Sequence, residues 1–417
     1  MERKIRRQDS IPGYLYALDG LRAVALLMIF FFHSWQQTWI SFNIQLRPGV
    51  YLFNLDLIQR FGYFAIDAFF VLSGFGLFYP IARSMFKEAE PVDWKTFFIK
   101  RLRRIYPAYV LMLLILLIFP VMSWGTTKDM TPLELFKHFG SHLLFIHTFW
   151  DKTLGTTIST AWTMGIEVQF YVIFPLIAWL FKKKPGWSFA GLLVVSQVLR
   201  MITISSENTS MVMQARVWLY LDVFAWGMFA AWLVVWIRNN IQKIERLRGW
   251  MTAISAASVV LVWYLMQWQS KITMPQGMDT SVYFRMGLRP LLDGAFALFL
   301  VSACYSFRFW EQKIWGNRFF VFLSTISYSF YLWHQNLYIF FKRVNIPYSA
   351  QNPVMGDRAA MDGLLLLCAA ASLLIAAAST YLVELPIARY GYLGCLKKCK
   401  EKIGQWLSVF GKRRGWG

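Results

Sequence analysis

Acidic residues are scarce in this chain. There are 22 aspartates and glutamates against 43 lysines and arginines, and charged residues fill only 16% of 417 positions. A soluble globule is excluded by that shortage, because hydrophobic residues make up 57% of the sequence and the polar remainder is too small to cover them. Cysteine is almost as rare. The four present (Cys304, Cys368, Cys395 and Cys399) show no disulfide spacing, so a small stapled secreted domain is excluded too. Cys395 and Cys399 stand one helical turn apart, which alone assigns neither a metal nor a lipid site. Internal repeats and low-complexity linkers are missing. So are the short segments of strict apolar and polar alternation that a membrane barrel requires. No cleavable signal is expected, since the first apolar run is long, lacks a small-residue cleavage site and is followed by further runs.

What the chain does have is apolar runs of about 20 residues, each enough to cross a hydrocarbon layer of about 30 Å. The expected fold class is therefore all-α, a polytopic membrane helix bundle of about ten transmembrane helices. The spans are placed at 18–38, 62–80, 105–123, 162–181, 187–204, 218–237, 250–268, 288–306, 319–340 and 363–388. With the N-terminus inside, 29 lysines and arginines fall on inner segments, 11 on outer ones and three within spans. That asymmetry predicts both termini cytoplasmic. The segment "LELFKHFGSHLLFIHTFW" (133–150) would invert this pattern if it crossed, so it is read as an amphipathic or re-entrant helix on the outer face. Residues 1–390 form the membrane domain. Residues 391–417, basic with interleaved Trp406, Leu407, Val409 and Phe410, read as an interfacial cytoplasmic tail.

Several polar residues sit where a bilayer penalises them, and each has a bland alternative. In "LDGLRAVALLMIFFFH" (18–33), Arg22 and His33 are eleven residues apart. At 100° and 1.5 Å per residue they share one helix face about 16 Å apart. Either one alone could snorkel or tie two helices together. Both on one face point to a functional channel. In "FFIKRLRRIYP" (97–107), Arg101 and Arg104 offer two guanidinium forks, either a phosphate clamp or a topology anchor. Glu167 lies in the fourth span with Tyr171 one turn on, and Ser327, Tyr331 and His334 form a polar stripe in the ninth. Arg289 and Asp293, four apart, are expected to pair with each other. Asp67 leads into Ser73, Gly74 and Gly76, which let a helix or a ligand approach closely. Glu134, His138, His142 and His147 have metal-like spacing, but no acidic general base completes a zinc motif, so no metal site is assigned.

These landmarks together resemble the acyltransferase-3 family of integral-membrane O-acyltransferases, over roughly residues 13 to 390. The opening run gives a basic residue, ten others, then histidine, at Arg22 and His33. "FAIDAFFVLSGFG" resembles the second-helix signature, and "FIKRLRRIYP" the arginine pair before Ile-x-Pro. "AWTMGIEVQFYVIFP" supplies Trp162 and Glu167, while "ISYSFYLWH" and "VELP" supply His334 and Glu384. Each motif is weak alone, and six in order are specific.

The resemblance implies a donor, an acyl-CoA (acetyl-CoA first among them), taken as a co-substrate from the cytoplasm with no bound cofactor. It implies an acceptor hydroxyl on a cell-envelope carbohydrate or glycolipid near the outer face. It also implies a multi-pass place in a cell membrane, on the bacterial cytoplasmic-membrane pattern. The lipid bilayer is a partner and nucleic acid is not. On this reading Arg22, Arg101 and Arg104 hold the donor's phosphates and His33 is catalytic. A hydroxyl needs a base to attack a thioester at neutral pH, and neutral imidazole suits that task. Glu167 or His334 would orient the base or the acceptor, and a transient acyl-histidine is a second route. The alternative class is a multi-span transporter of a small solute, distinguished by uptake without thioester turnover. An inactive scaffold is a third. No appended domain is expected after the membrane unit, so acceptor identity is unread.

Overall fold

The computed structural model describes residues 15–47, 50–123, 125, 130–205, 211–273, 287–350, 357–392, 394, 395, 397 and 401. Most of the basic tail, Cys399 included, lies outside the described residues.

The first long helix, α1 (Tyr16–Thr38), stops where Trp39 turns left-handed and its N–H reaches Trp35 O at 2.6 Å. A two-stranded antiparallel hairpin follows, β1 (Asn43–Arg47) and β2 (Val50–Asn54). It corrects the purely helical expectation: "NIQLR" and "VYLFN" are too short for periodicity to reveal, and the pair lies largely exposed. Next come α2 (Asp56–Phe61), α3 (Phe64–Met85) and α4 (Trp94–Ile118), whose cap Asp93 accepts the Thr96 N–H at 2.9 Å. The longer helices that follow are α5 (Pro132–Leu143), α6 (Ala161–Lys183), α7 (Pro185–Ser205), α8 (Leu221–Asn240), α9 (Arg248–Thr273), α10 (Arg289–Ala303), α11 (Arg318–Arg343) and α12 (Arg358–Ser379).

Among the described residues, seven helical segments are long and apolar enough to cross a membrane. They include α1, α3, α6, α7, α8, α9 and α12. The other three segments marked in the sequence also fall on helices, α4, α10 and α11, but α10 has only 15 residues and α11 buries Ser324, Ser327, Ser329, His334, Gln335 and Asn336. Helix α5, at 12 residues, is too short to cross. A capping box between Thr131 and Glu134 starts it. Its polar side (His138, Ser141, His142) faces the protein, while Leu133, Phe136 and Leu143 are exposed. The helix is thus amphipathic with its histidines inward, while Glu134 and Lys137 stay exposed beside the apolar residues.

Glycine sets the closest helix crossing. A Cβ on Gly74 of α3 would lie 2.2 Å from Phe224 O, and one on Gly227 of α8 only 1.9 Å from Val71 O. The two backbones therefore touch at mutual glycines. Phe224 also stacks on Phe170 of α6, with centroids 3.8 Å apart. On the far side, α1 packs on α11 through Phe30 against Phe330 and Tyr338, each at 5.5 Å. Helices α7 and α9 are peripheral and expose Val194, Val198, Ile202, Val260 and Tyr264. Such surface suits contact with lipid.

One expected pair is corrected. Arg289 does not close on Asp293 of its own helix. It forks onto Asp67 of α3, with Nε donating to Oδ2 at 3.0 Å and Nη2 donating to Oδ1. Spacing of four residues permits a contact, but a bidentate carboxylate on a neighbouring helix matches the planar guanidinium better.

Candidate active site

Helices α1, α3, α4, α6 and α11 enclose a cavity of about 210 Å³. Gly76 of α3 helps to open it, for no atom lies within 4 Å of where its Cβ would stand. The walls carry Arg22, Arg101, Arg104, Glu167 and Tyr171, together with Ser73, Thr163, Ser327, Tyr328 and Tyr331. Residues from five distant stretches of sequence thus converge on one space.

Arg22 is held, not loose. Its Nη1 donates to Ser324 Oγ at 3.2 Å, Ser324 in turn donates to Asp19 at 2.5 Å, and Asp19 is 4.0 Å from Arg22. Arg101 lies over the rings of Phe97 and Tyr171, 5.4 and 5.8 Å from their centroids, with Nε buried and unbonded. Arg104 is exposed at the cavity's edge, and among the described residues it forms no ion pair. Glu167 accepts hydrogen bonds from Ser73 Oγ at 2.9 Å and from the Tyr171 hydroxyl.

Next to Tyr331 of the cavity wall stand two histidines. His33 Nδ1 and His334 Nε2 are 2.7 Å apart, joining α1 to α11 across 301 residues. The protons in this pair follow from the partners. His334 Nδ1 lies 2.9 Å from Tyr331 O and 3.1 Å from Phe330 O, and carbonyls only accept, so Nδ1 carries the hydrogen. In a neutral ring His334 Nε2 is then an acceptor, and His33 Nδ1 must donate to it. That leaves the lone pair on His33 Nε2, a base oriented by its neighbour. Thr160 of the α6 N-terminus also donates to Tyr331 O, at 3.2 Å. The Tyr331 hydroxyl shares a 3.0 Å hydrogen bond with Thr163, and its ring, which lines the cavity, sits 5.7 Å from that of His334.

The structure therefore brings the sequence candidates together in two groups. Arg22, Arg101, Arg104 and Glu167 share the cavity. His33 and His334 share a hydrogen bond outside its lining, and the hydrogen bonds of Glu167 run to Ser73 and Tyr171. The sequence does not single out Asp19, Thr163 or Tyr328. Asp19, three residues from Arg22, was the one with a local signal. Glu384 is a structural anchor for the end of α12, accepting from Thr380 Oγ1 at 3.0 Å and from Ser329.

His138, His142 and His147 form a separate cluster. His138 meets Thr157 at 2.5 Å, His142 meets the Tyr109 hydroxyl at 3.2 Å, and His147 donates to Ala161 O at 3.1 Å. The His142 and His147 rings lie parallel, 4.2 Å apart. Burial holds all three imidazoles below their ordinary range, His147 down to about 4, with mutual repulsion adding for His142 and His147. Stacked rings do not converge on a point, and among the described residues no three acidic, His or Cys groups are arranged to hold a metal.

Comparison with known proteins agrees with the sequence landmarks. The family described as "Acyltransferase domain" (acyltransferase-3) matches residues 15–382. O-acetyltransferase OatA of Staphylococcus aureus (strain NCTC 8325 / PS 47) is 25% identical over 198 residues, covering 45% of this chain and 29% of OatA. The protein named "Putative O-acetyltransferase SACOL0978" of S. aureus strain COL is 27% identical over 224 residues, 48% of this chain and 31% of that protein. The chain thus spans less than a third of the length of these relatives. No solved structure matches.

Proposed function

The chain belongs to the acyltransferase-3 family, and from that premise we propose that it moves an acyl group from a cytoplasmic acyl-CoA to a hydroxyl of an extracytoplasmic, cell-envelope carbohydrate. The acetyl group is favoured because relatives bear the name O-acetyltransferase. We further propose a multi-pass protein of about ten spans in the cell membrane, with both termini cytoplasmic.

One observation carries the reading: a hydrogen-bonded histidine pair packs against Tyr331, whose ring lines a cavity that bears three arginines. CoA is a polyanion with a thin arm ending in a thioester. Arg104 at the edge and Arg101 inside would meet the phosphates, since guanidinium forks bind phosphate oxygens in pairs. Arg22, fixed by Asp19 and Ser324, adds positive potential along the wall. The arm would extend towards Tyr331 and Thr163.

There the acceptor oxygen attacks the thioester carbonyl while His33 Nε2 takes its proton. The carbon–sulfur bond breaks, the ester forms, and the CoA thiolate receives the proton, so no other reactant is needed. His334 keeps His33 in the tautomer that leaves Nε2 bare, and Glu167 organises the cavity wall through Ser73 and Tyr171. Direct attack by His33 Nε2 on the thioester, giving an acyl-histidine, uses the same geometry.

Reconstituted protein given radiolabelled acetyl-CoA and an envelope oligosaccharide is expected to label the sugar. Loss of the base in His33→Ala should cut transfer by about 10²- to 10⁴-fold. Undiminished transfer by this variant would remove the assignment, and solute uptake without thioester turnover would favour a transporter.

A further inference from the structure

Behind the cavity wall, four helices meet at charges that acyl transfer leaves unused. Asp67 of α3, Arg200 of α7, Asp222 of α8, and Arg289 and Asp293 of α10 are all interior, none more than 5% exposed. Two ion pairs account for four of them. Arg289 forks onto Asp67 and lies 4.2 Å from the centre of the Tyr220 ring. Arg200 Nη2 donates to Asp222 Oδ1 at 2.5 Å, while its Nε and Nη2 also donate to Leu219 O, at 2.9 and 2.6 Å. Asp222 is fixed further by its own backbone N–H, which donates to Ser196 Oγ at 3.1 Å.

Asp293 is left over. It is fully buried, and neither carboxylate oxygen has a hydrogen-bond partner. It interacts electrostatically with Asp67, Arg289, Asp222 and Arg200, so it belongs to the same group of charges. Asp222 Oδ2 is a further unpartnered acceptor, and Arg200 Nη1 an unpartnered donor.

Arginine does not give up its proton in proteins, so the two guanidiniums contribute a fixed double positive charge. Three ionised carboxylates would leave the group one negative charge in excess, inside a membrane bundle where an uncompensated charge is costly. A bridging water could serve Arg200 Nη1, but water does not cancel charge. We propose that Asp293, with Asp222 Oδ2 as the third unpaired oxygen of the group, is a site for one monovalent cation. The shared chemistry is a single positive charge on a carboxylate, supplied by a proton or by an alkali ion. Its occupation completes the charge balance that ties α3, α7, α8 and α10 together behind the cavity.

The test uses full-length protein in nanodiscs and is independent of acyl transfer. Asp293→Asn keeps the shape and removes the charge. If a proton is the occupant, the infrared spectrum at neutral pH contains a protonated carboxylic acid band that Asp293→Asn loses. In wild-type protein labelled with ¹³C-carboxyl aspartate this band shifts, a readout that needs no variant. If an alkali ion is the occupant, that band is missing, and replacing choline with sodium or potassium at fixed ionic strength raises the wild-type melting temperature by several degrees. Asp293→Asn then melts independently of the cation. Either pattern supports the site. Wild-type protein showing neither an aspartic acid band nor cation-dependent melting overturns it.

Discussion

Removing His334 tests how the histidine pair works. The His33 Nδ1 to His334 Nε2 contact, at 2.7 Å, is buried, with His334 wholly enclosed and His33 only 8% exposed. In His334→Phe the ring volume stays roughly filled, but the His33 Nδ1–H loses its acceptor where little water can replace it. Leaving a buried donor unmet costs about 1–3 kcal/mol. The imidazole can escape that cost by swapping tautomer or turning away, and both put Nε2 out of action. If the whole cost appears as lost orientation in the transition state, kcat falls by about five- to 150-fold. Loss of the proposed base in His33→Ala should be larger, about 10²- to 10⁴-fold. If His334 acts only through His33, as proposed, the double variant should be no slower than His33→Ala alone, a full failure of additivity. Initial rates of acetyl transfer at saturating donor, for the four proteins of this cycle, measure it. Independent, multiplicative losses would refute the relay, and so would a His334→Phe rate equal to wild type.

Three further outcomes follow from the geometry. Arg101→Ala and Arg104→Ala should each raise the donor KM by roughly ten- to 150-fold, the value of one charged hydrogen bond, with kcat little changed. An unaltered KM would return both residues to the role of topology anchors. Gly227→Ala would set a Cβ 1.9 Å from Val71 O, so overpacking should cost about 1–3 kcal/mol and lower the melting temperature, whereas an unchanged melt would contradict the close crossing of α3 and α8. His147 is held at about 4 against an ordinary 6.5, by burial first and then by His138. The unfolded chain therefore binds more protons between these values, and stability should decline as pH falls from 6.5 to about 4. His147→Gln should flatten that part of the melting-temperature profile, and an unaltered slope would show that His147 does not cause it.

What the sequence disclosed was whatever depends on local periodicity. Arg22 and His33 fall on one face because eleven residues make nearly whole turns of a helix, and all ten apolar runs lie on helices. Close approach at Gly74 was also readable, since small residues in an apolar helix have few other uses. Contacts between distant segments were not readable. Nothing near residue 33 indicates residue 334, although the "FYLWH" stripe did mark His334 as polar and inward. The Arg289 pairing is hidden for the same reason. Local spacing offered Asp293, while the partner chosen by the fold, Asp67, lies 222 residues away. The hairpin at 43–54 was missed because two five-residue strands carry too little alternation to register.

The most direct test is a high-resolution map of the protein in lipid with a non-hydrolysable acyl-CoA analogue. Phosphate density is expected against Arg101 and Arg104, with the arm running inside the cavity so that the carbonyl lies near Tyr331 and within reach of His33 Nε2. An analogue bound elsewhere, or His33 and Arg22 facing acyl chains with the cavity empty, would contradict it.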